Sequence, residues 1–197
     1  SGEYMLSATK HDMVPYLGEI TVVTPDQHLG FSSLAIDDDG AGRSSGNGDG
    51  EANPGERLEL RTSISNFGDS EIEGRTEVVI QANSGDVDLV ESLIILDSPP
   101  EIGDSAVVTF IVDIGQQNSD LERLAFLLTA STAEESWESS IAFNTAAPNL
   151  EYVSHVFDPD PFNAGDTAWV EVTVNNIGSL ASEELNAVLV SNREVIT

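Results

Sequence analysis

Apolar residues recur with a period of two through most of the chain. Leu58, Leu60, Thr62 and Ile64 alternate with Arg57, Glu59, Arg61 and Ser63, the pattern of a strand with one buried and one wet face. Val107, Thr109 and Ile111 interleave with Val108, Phe110 and Val112, so both faces are apolar and a central strand is predicted. Further strands are predicted at Ser33 to Ile36, Thr76 to Gln81, Val87 to Val90, Leu124 to Thr129 and Trp137 to Phe143. Turn-forming residues separate them: Asn66-Phe67-Gly68-Asp69, Asn83-Ser84-Gly85-Asp86, Ser98-Pro99-Pro100, and Gly115 to Ser119. No segment has the 3.6-residue period of an amphipathic helix. Seven short strands over residues 30–145 predict an all-β, immunoglobulin-like sandwich. The antibody variety is excluded because the chain has no cysteine.

A second regularity lies at longer range. Asn53-Pro54-Gly55-Glu56, an alternating strand and Asn66-Phe67-Gly68 recur without a gap as Asn163-Ala164-Gly165-Asp166, an alternating strand and Asn176-Ile177-Gly178. The offset, from Asn53 to Asn163, is 110 residues, about the length of one sandwich. Tandem β-sandwich modules are therefore predicted, one complete and two partial. Residues 1–25 read as the last strands of a preceding module, with strands at Tyr4 to Thr9 and Glu19 to Thr24. Residues 26–147 read as the complete module, with a boundary near Ala146-Ala147-Pro148. Residues 148–197 read as the first strands of another module, to be completed by a longer polypeptide or by a neighbouring copy.

Between the first two strands of the complete module lies an acidic, glycine-rich loop, residues 37–56. It carries a calcium pattern. With Ser45 at position 1 of a 12-residue calcium loop, Asn47 falls at 3, Asp49 at 5, Gly50 at 6, the Glu51 carbonyl at 7, Asn53 at 9 and Glu56 at 12. Alternate side chains then converge on one hard cation, Gly50 permits the sharp turn, and Glu56 supplies two oxygens. Ser45 departs from the usual Asp at position 1, and one of Asp37, Asp38 or Asp39 is expected to fold back and supply the missing charge. Six carboxylates in this stretch, with Arg43 the one basic residue among them, repel one another unless a cation or wide separation relieves them. The metal reading predicts that Asp49→Ala or Glu56→Ala lowers thermal stability only when calcium is present.

Charge narrows the function classes. Seven basic and 35 acidic residues give a formal charge of −28. One Lys and six scattered Arg cannot supply the basic face that a nucleic-acid partner or an anionic membrane surface requires. Absence of cysteine removes disulfides, thiolate zinc sites and a cysteine nucleophile. No apolar run approaches the roughly 20 residues that span a bilayer, and Ser1-Gly2-Glu3 lacks the features of a signal peptide, so an export signal would lie outside this chain. His11, His28 and His155 have no local partner spacing, and no nucleophile-elbow motif is present; catalysis is not expected. Trp137 and Trp169 are expected to pack in the core rather than to stack on sugars. Asp158, Asp160 and Asp166 are read as an inter-strand turn rather than a second ion site.

The run Ser45 to Glu56, followed by the strand ending in Ile64-Ser65-Asn66-Phe67-Gly68, resembles the immunoglobulin-like modules of large secreted bacterial proteins, notably those that follow the catalytic domain in gingipain-like cysteine peptidases. Ser7 to Val22 is similar to the last strands of the sandwich that follows that domain. Asp158 to Gly178 resembles the cell-adhesion-related bacterial domain known as CARDB. The resemblance implies a secreted or cell-surface location and a spacer, stalk or secretion-linked accessory role. The catalytic residues of such peptidases are a Cys and a His; peptidase activity would lie in a domain outside this chain. The favoured expectation is a non-catalytic, calcium-stabilised extracellular module of a longer multidomain polypeptide. Two others are a filament or surface-layer subunit built with neighbouring copies by strand complementation, and an adhesin or glycan-binding module using Trp137 or Trp169.

Overall fold

Alternation over Arg57 to Ile64 places Leu58, Leu60, Thr62 and Ile64 on one face, and in the computed structural model these four side chains are fully buried while their neighbours face outward. Residues 2–158, 160–161, 163, 165–182 and 185–190 are described. Among them are twelve strands and no helix: β1 (Gly2–Ala8), β2 (Tyr16–Val22), β3 (Leu29–Asp37), β4 (Arg57–Asn66), β5 (Thr76–Ala82), β6 (Val87–Glu91), β7 (Leu93–Leu96), β8 (Ser105–Ile114), β9 (Arg123–Ser131), β10 (Ser136–Asn144), β11 (Leu150–Asp158) and β12 (Trp169–Asn176).

Two four-stranded antiparallel sheets, ordered β3-β4-β8-β6 and β10-β9-β5-β7, share one core. The first sheet contributes Leu58, Leu60, Ile64, Val108, Phe110 and Val112; the second contributes Val78, Ile80, Leu124, Phe126, Leu128 and Ile141. This is a sandwich in which each sheet covers the apolar face of the other. β8 is a central strand, as its two apolar faces predict, flanked by β4 and β6. The expected seven strands are eight, because β7 was not anticipated. Only Ser92 separates β6 from β7, and there the chain crosses from one sheet to the other, with Ser92 carbonyl accepting from Ile80 N–H at 2.9 Å.

On the outer face of the first sheet, Arg57 meets Asp113 through two parallel hydrogen bonds of 2.6 and 2.8 Å. The guanidinium holds the Asp113 carboxyl below the usual carboxylate range. On the inner face one polar group is out of place. The Thr62 hydroxyl is buried without a hydrogen-bond partner among the described residues. Thr62→Val keeps the shape and removes the stranded hydroxyl, so it is expected to raise stability by about 1 kcal/mol, read from urea unfolding.

Two hairpins flank the sandwich: β1–β2, paired from Gly2↔Val22 to Ala8↔Tyr16, and β11–β12, paired from Leu150↔Asn176 to Asp158↔Trp169. The β11–β12 hairpin repeats the hydrogen bonds of β3–β4 at the predicted offset. Asn66 Oδ1 accepts from Gly68 N–H and Asn176 Oδ1 from Gly178 N–H, both at 3.0 Å. Their amide groups donate to Ser70 and Leu180 carbonyls, each four residues on. The Glu56 and Asp166 carboxylates accept from Asn53 and Asn163 N–H at 3.1 and 2.8 Å. Gly68 lies against residues 26–28 and Gly178 against residues 147–149, an offset of 121. Since 121 and 110 differ by 11, the first copy carries 11 additional residues between its first two strands, and they fall within the acidic loop.

Trp137 is half-buried against the core and donates its indole N–H to Gln27 carbonyl at 3.2 Å. Trp169 does not follow the core expectation. It is 80% exposed, because among the described strands β12 pairs only with β11 and no sheet faces the hairpin.

Candidate metal centre

The acidic loop runs from the end of β3 to the start of β4 and is anchored at both sides. Ser45 and Arg57 exchange backbone hydrogen bonds of 2.8 and 3.0 Å; Gly55 and Glu56 pair with Ile114 at 2.8 Å. Arg43 N–H donates to Glu59 Oε1 at 2.7 Å, and the Arg43 side chain pairs with Glu91. These contacts fix the loop to β4 and β8, the inner strands of the first sheet, and to β6 beside them.

Asp38 is the hub. It is only 2% exposed, and its carboxylate accepts from the N–H groups of Gly48 (2.9 Å), Asp49 (3.2 Å) and Gly50 (3.0 Å). Three converging N–H dipoles compensate a buried negative charge. Of the three aspartates considered for the missing charge, Asp38 is therefore the one that folds into the loop. Asp37 pairs with Arg61, and Asp39 Oδ1 accepts from Ala41 N–H at 2.8 Å. Those two carboxylates are engaged elsewhere.

The remaining predicted positions gather around Asp38 in part. Asn47 donates its amide to Asp49 Oδ2 at 3.0 Å and to Asn53 Oδ1 at 2.8 Å. Glu56 reaches back over the loop, its two oxygens accepting from Asn47 N–H (3.0 Å) and Asn53 N–H (3.1 Å). Asp49 Oδ1 accepts from Glu51 N–H at 2.8 Å. Gly50 has φ of 79°, the left-handed conformation that position 6 of such a loop requires and that other residues resist. Ser45 enters through its backbone pairing to Arg57, and Glu51 through its N–H to Asp49.

Electrostatically the cluster is under tension. Desolvation raises the Glu56 carboxyl above the usual range, its backbone hydrogen bonds from Asn53 and Asn47 oppose this, and the charges of Asp38 and Asp49 add to the rise. A cation at the centre of these oxygens would reverse the repulsion. Yet among the described residues no three acidic or imidazole side chains already stand in metal-ligating positions. Ligation would thus draw on Asn47, Asn53 and carbonyl oxygens beside the carboxylates, with rotation of Asp49 or Glu56 away from the N–H groups they now hold. The same hydrogen bonds modify one expectation from the sequence. Asp49→Ala and Glu56→Ala must cost stability even without calcium, and only the difference between the two conditions belongs to the metal.

No protein-family model matches the chain, and no curated protein matches it. Among solved structures, a conjugative transposon lipoprotein from Bacteroides eggerthii DSM 20697 is similar over 59% of this chain and 97% of its own, at 13% identity and a TM-score of 0.31. A likeness of that size assigns neither the fold nor the function.

Proposed function

We propose that this chain is a non-catalytic, calcium-stabilised module of a larger secreted or cell-surface protein, acting as a spacer or accessory between neighbouring domains. The observation that carries the proposal is the convergence of Asp38, Asn47, Asp49, Asn53 and Glu56 in one anchored loop with a left-handed glycine at its turn. Hard oxygen donors in that arrangement suit calcium, which takes six to eight oxygens at flexible geometry.

The immunoglobulin-like reading is supported by strand order. With β3, β4, β8 and β6 in one sheet and β10, β9 and β5 in the other, the connectivity parallels the ABED and GFC sheets of that architecture, with β7 as an additional edge strand. The tandem reading is supported by the recurrence of the Asn-x-Gly turn and the Asn–carboxylate turn at Asn53 and Asn163. On this reading residues 26–147 form one module, residues 2–25 end another and the segment from Pro148 begins a third. A role in spacing is supported by the site's position, because a cation there stiffens the link between the first two strands.

Calorimetric titration of calcium into chelated, desalted protein, with thermal unfolding before and after, tests the proposal. Saturable one-site binding is expected. With an extracellular-type affinity of about 10⁻⁴ to 10⁻³ M, millimolar calcium adds about 0.4–1.4 kcal/mol, or about 1–6 °C in Tm for a chain of this size. Asp49→Ala is expected to abolish that increment. Absence of both heat and shift overturns the metal assignment and returns the loop to a hydrogen-bonded acidic turn.

A further inference from the structure

The acidic loop also touches the segment by which the chain leaves the sandwich. Thr145, Ala146 and Ala147 follow β10, lead into β11 and are buried, although they belong to neither sheet. Buried backbone outside regular strands must find partners for its polar groups, and here these come from two sides. From the loop, Ala52 carbonyl accepts from Ala146 N–H at 2.9 Å and Asn53 Nδ2 donates to Ala146 carbonyl at 3.0 Å. From the β8–β9 turn, Asp120 Oδ1 accepts from Ala147 N–H at 3.1 Å, while Leu121 N–H donates to Thr145 carbonyl and Thr145 N–H to Glu122 carbonyl, both at 2.9 Å.

Asp120 does more than hold the linker. The same carboxylate oxygen accepts from the Ser179 hydroxyl, just beyond β12, and these two bonds, with Ser179 the larger cause, keep its carboxyl below the usual range. Gly178 lies so close to the linker that a Cβ there would stand 2.3 Å from Ala147 carbonyl oxygen and 2.4 Å from Asn149 N. Asn53 is the shared member: its Oδ1 accepts from Asn47 within the candidate metal loop and its Nδ2 grips Ala146.

We propose that the acidic loop and the β8–β9 turn form a two-sided clasp on residues 145–147 that fixes the direction in which the next unit, β11–β12, leaves the sandwich. Asp120 closes one side and Asn53 the other. Both sides are formed without a cation; only the tuning of the Asn53 side rests on the calcium reading, because ordering Asn47 and Asn53 around a cation also orders the bond to Ala146. The device sets the stiffness of the joint, and calcium tunes it.

The test uses the whole chain, labelled with ¹⁵N, and measures amide exchange at Ala146 and Ala147 together with relaxation of β11–β12 relative to β9, in calcium and in chelator. Asp120→Ala and Ser179→Ala are compared with the parent, and unchanged protection at Phe126 and Leu128 certifies an intact core. Expected are about tenfold faster exchange at Ala147 in Asp120→Ala, independent motion of β11–β12 in both variants, and slower exchange at Ala146 when calcium is added to the parent. A parent in which β11–β12 tumbles independently, or an Asp120→Ala variant with unchanged Ala147 exchange and hairpin motion, overturns the clasp. If the variants loosen the joint but calcium leaves Ala146 unchanged, the clasp stands and its coupling to a cation is refuted.

Discussion

Asp38→Ala is expected to lower the unfolding midpoint by about 6–12 °C, corresponding to about 3 kcal/mol in a chain of this size. One substitution strands the N–H groups of Gly48, Asp49 and Gly50 together, and hydrogen bonds to a charged acceptor are stronger than neutral ones. Because these groups sit in a loop, water recovers part of the loss, which sets the value below three full bonds. The effect must appear in chelator as well as in calcium, since the carboxylate organises the loop before any cation arrives. Asp38→Asn keeps one acceptor oxygen and is expected to lose less stability while still losing the calcium increment. Thermal unfolding of both variants in the two conditions separates the structural part from the metal part. A midpoint within 1–2 °C of the parent in chelator would show that the loop does not depend on Asp38.

Gly68→Ala is expected to cost about 2–3 kcal/mol, the range for forcing an added methyl into a packed site. A Cβ at Gly68 would lie 2.6 Å from Asp26 carbonyl oxygen, 2.9 Å from Gln27 Cα and 2.9 Å from His28 N. All three are backbone atoms, so relief requires the strand entry to move rather than a side chain to rotate. Asp69 and Ser70 donate to Pro25 and Asp26 carbonyls in the same turn, and a shifted entry would disturb these bonds too. Urea unfolding measures the loss. In Gly178→Ala the clash is with Ala147 and Asn149; since β11–β12 lies outside the shared core, the expected result is loss of amide protection at Ile177, whose N–H bonds Asn149 carbonyl at 2.8 Å, with little change in the global midpoint. Equal global losses from both substitutions would mean that the hairpin is part of the sandwich's cooperative unit.

Several features were legible because they depend on local chemistry. Alternation over Arg57 to Ile64 identified the buried face of β4 before any fold was known, since a strand's side chains must point to opposite sides. The Asn-x-Gly turns at Asn66 and Asn176 were legible for the same reason: a side-chain oxygen bonding the amide two residues on is a short-range motif. β7 was hidden because Leu93-Ile94-Ile95-Leu96 follows β6 with no Gly, Pro or Asn between them, and a crossing from sheet to sheet leaves no mark in a run of apolar residues. Trp169 was misjudged because alternation tells which residues share a face but not whether anything covers that face.

The candidate site divides in the same way. Spacing alone brought Asn47, Asp49, Asn53 and Glu56 into one group, and the structure gathers them, because positions in one short loop cannot be far apart. Which of three consecutive aspartates joins them was a tertiary matter. Arg61, two residues beyond the β4 partner of Asp37, takes the Asp37 carboxylate, Asp39 turns to its own loop at Ala41, and Asp38 is left facing the amides of Gly48 to Gly50. The grip of Asn53 on Ala146 spans 93 residues and has no local signature at all. The sequence by itself determined seven of the eight sandwich strands, the turns, the repeat and the composition of the acidic loop, since each follows from the period of the backbone or the geometry of a few adjacent residues. Tertiary structure alone decided which face is covered, which aspartate is buried and what the loop holds, because those depend on which distant segments the packed sheets bring within hydrogen-bonding reach.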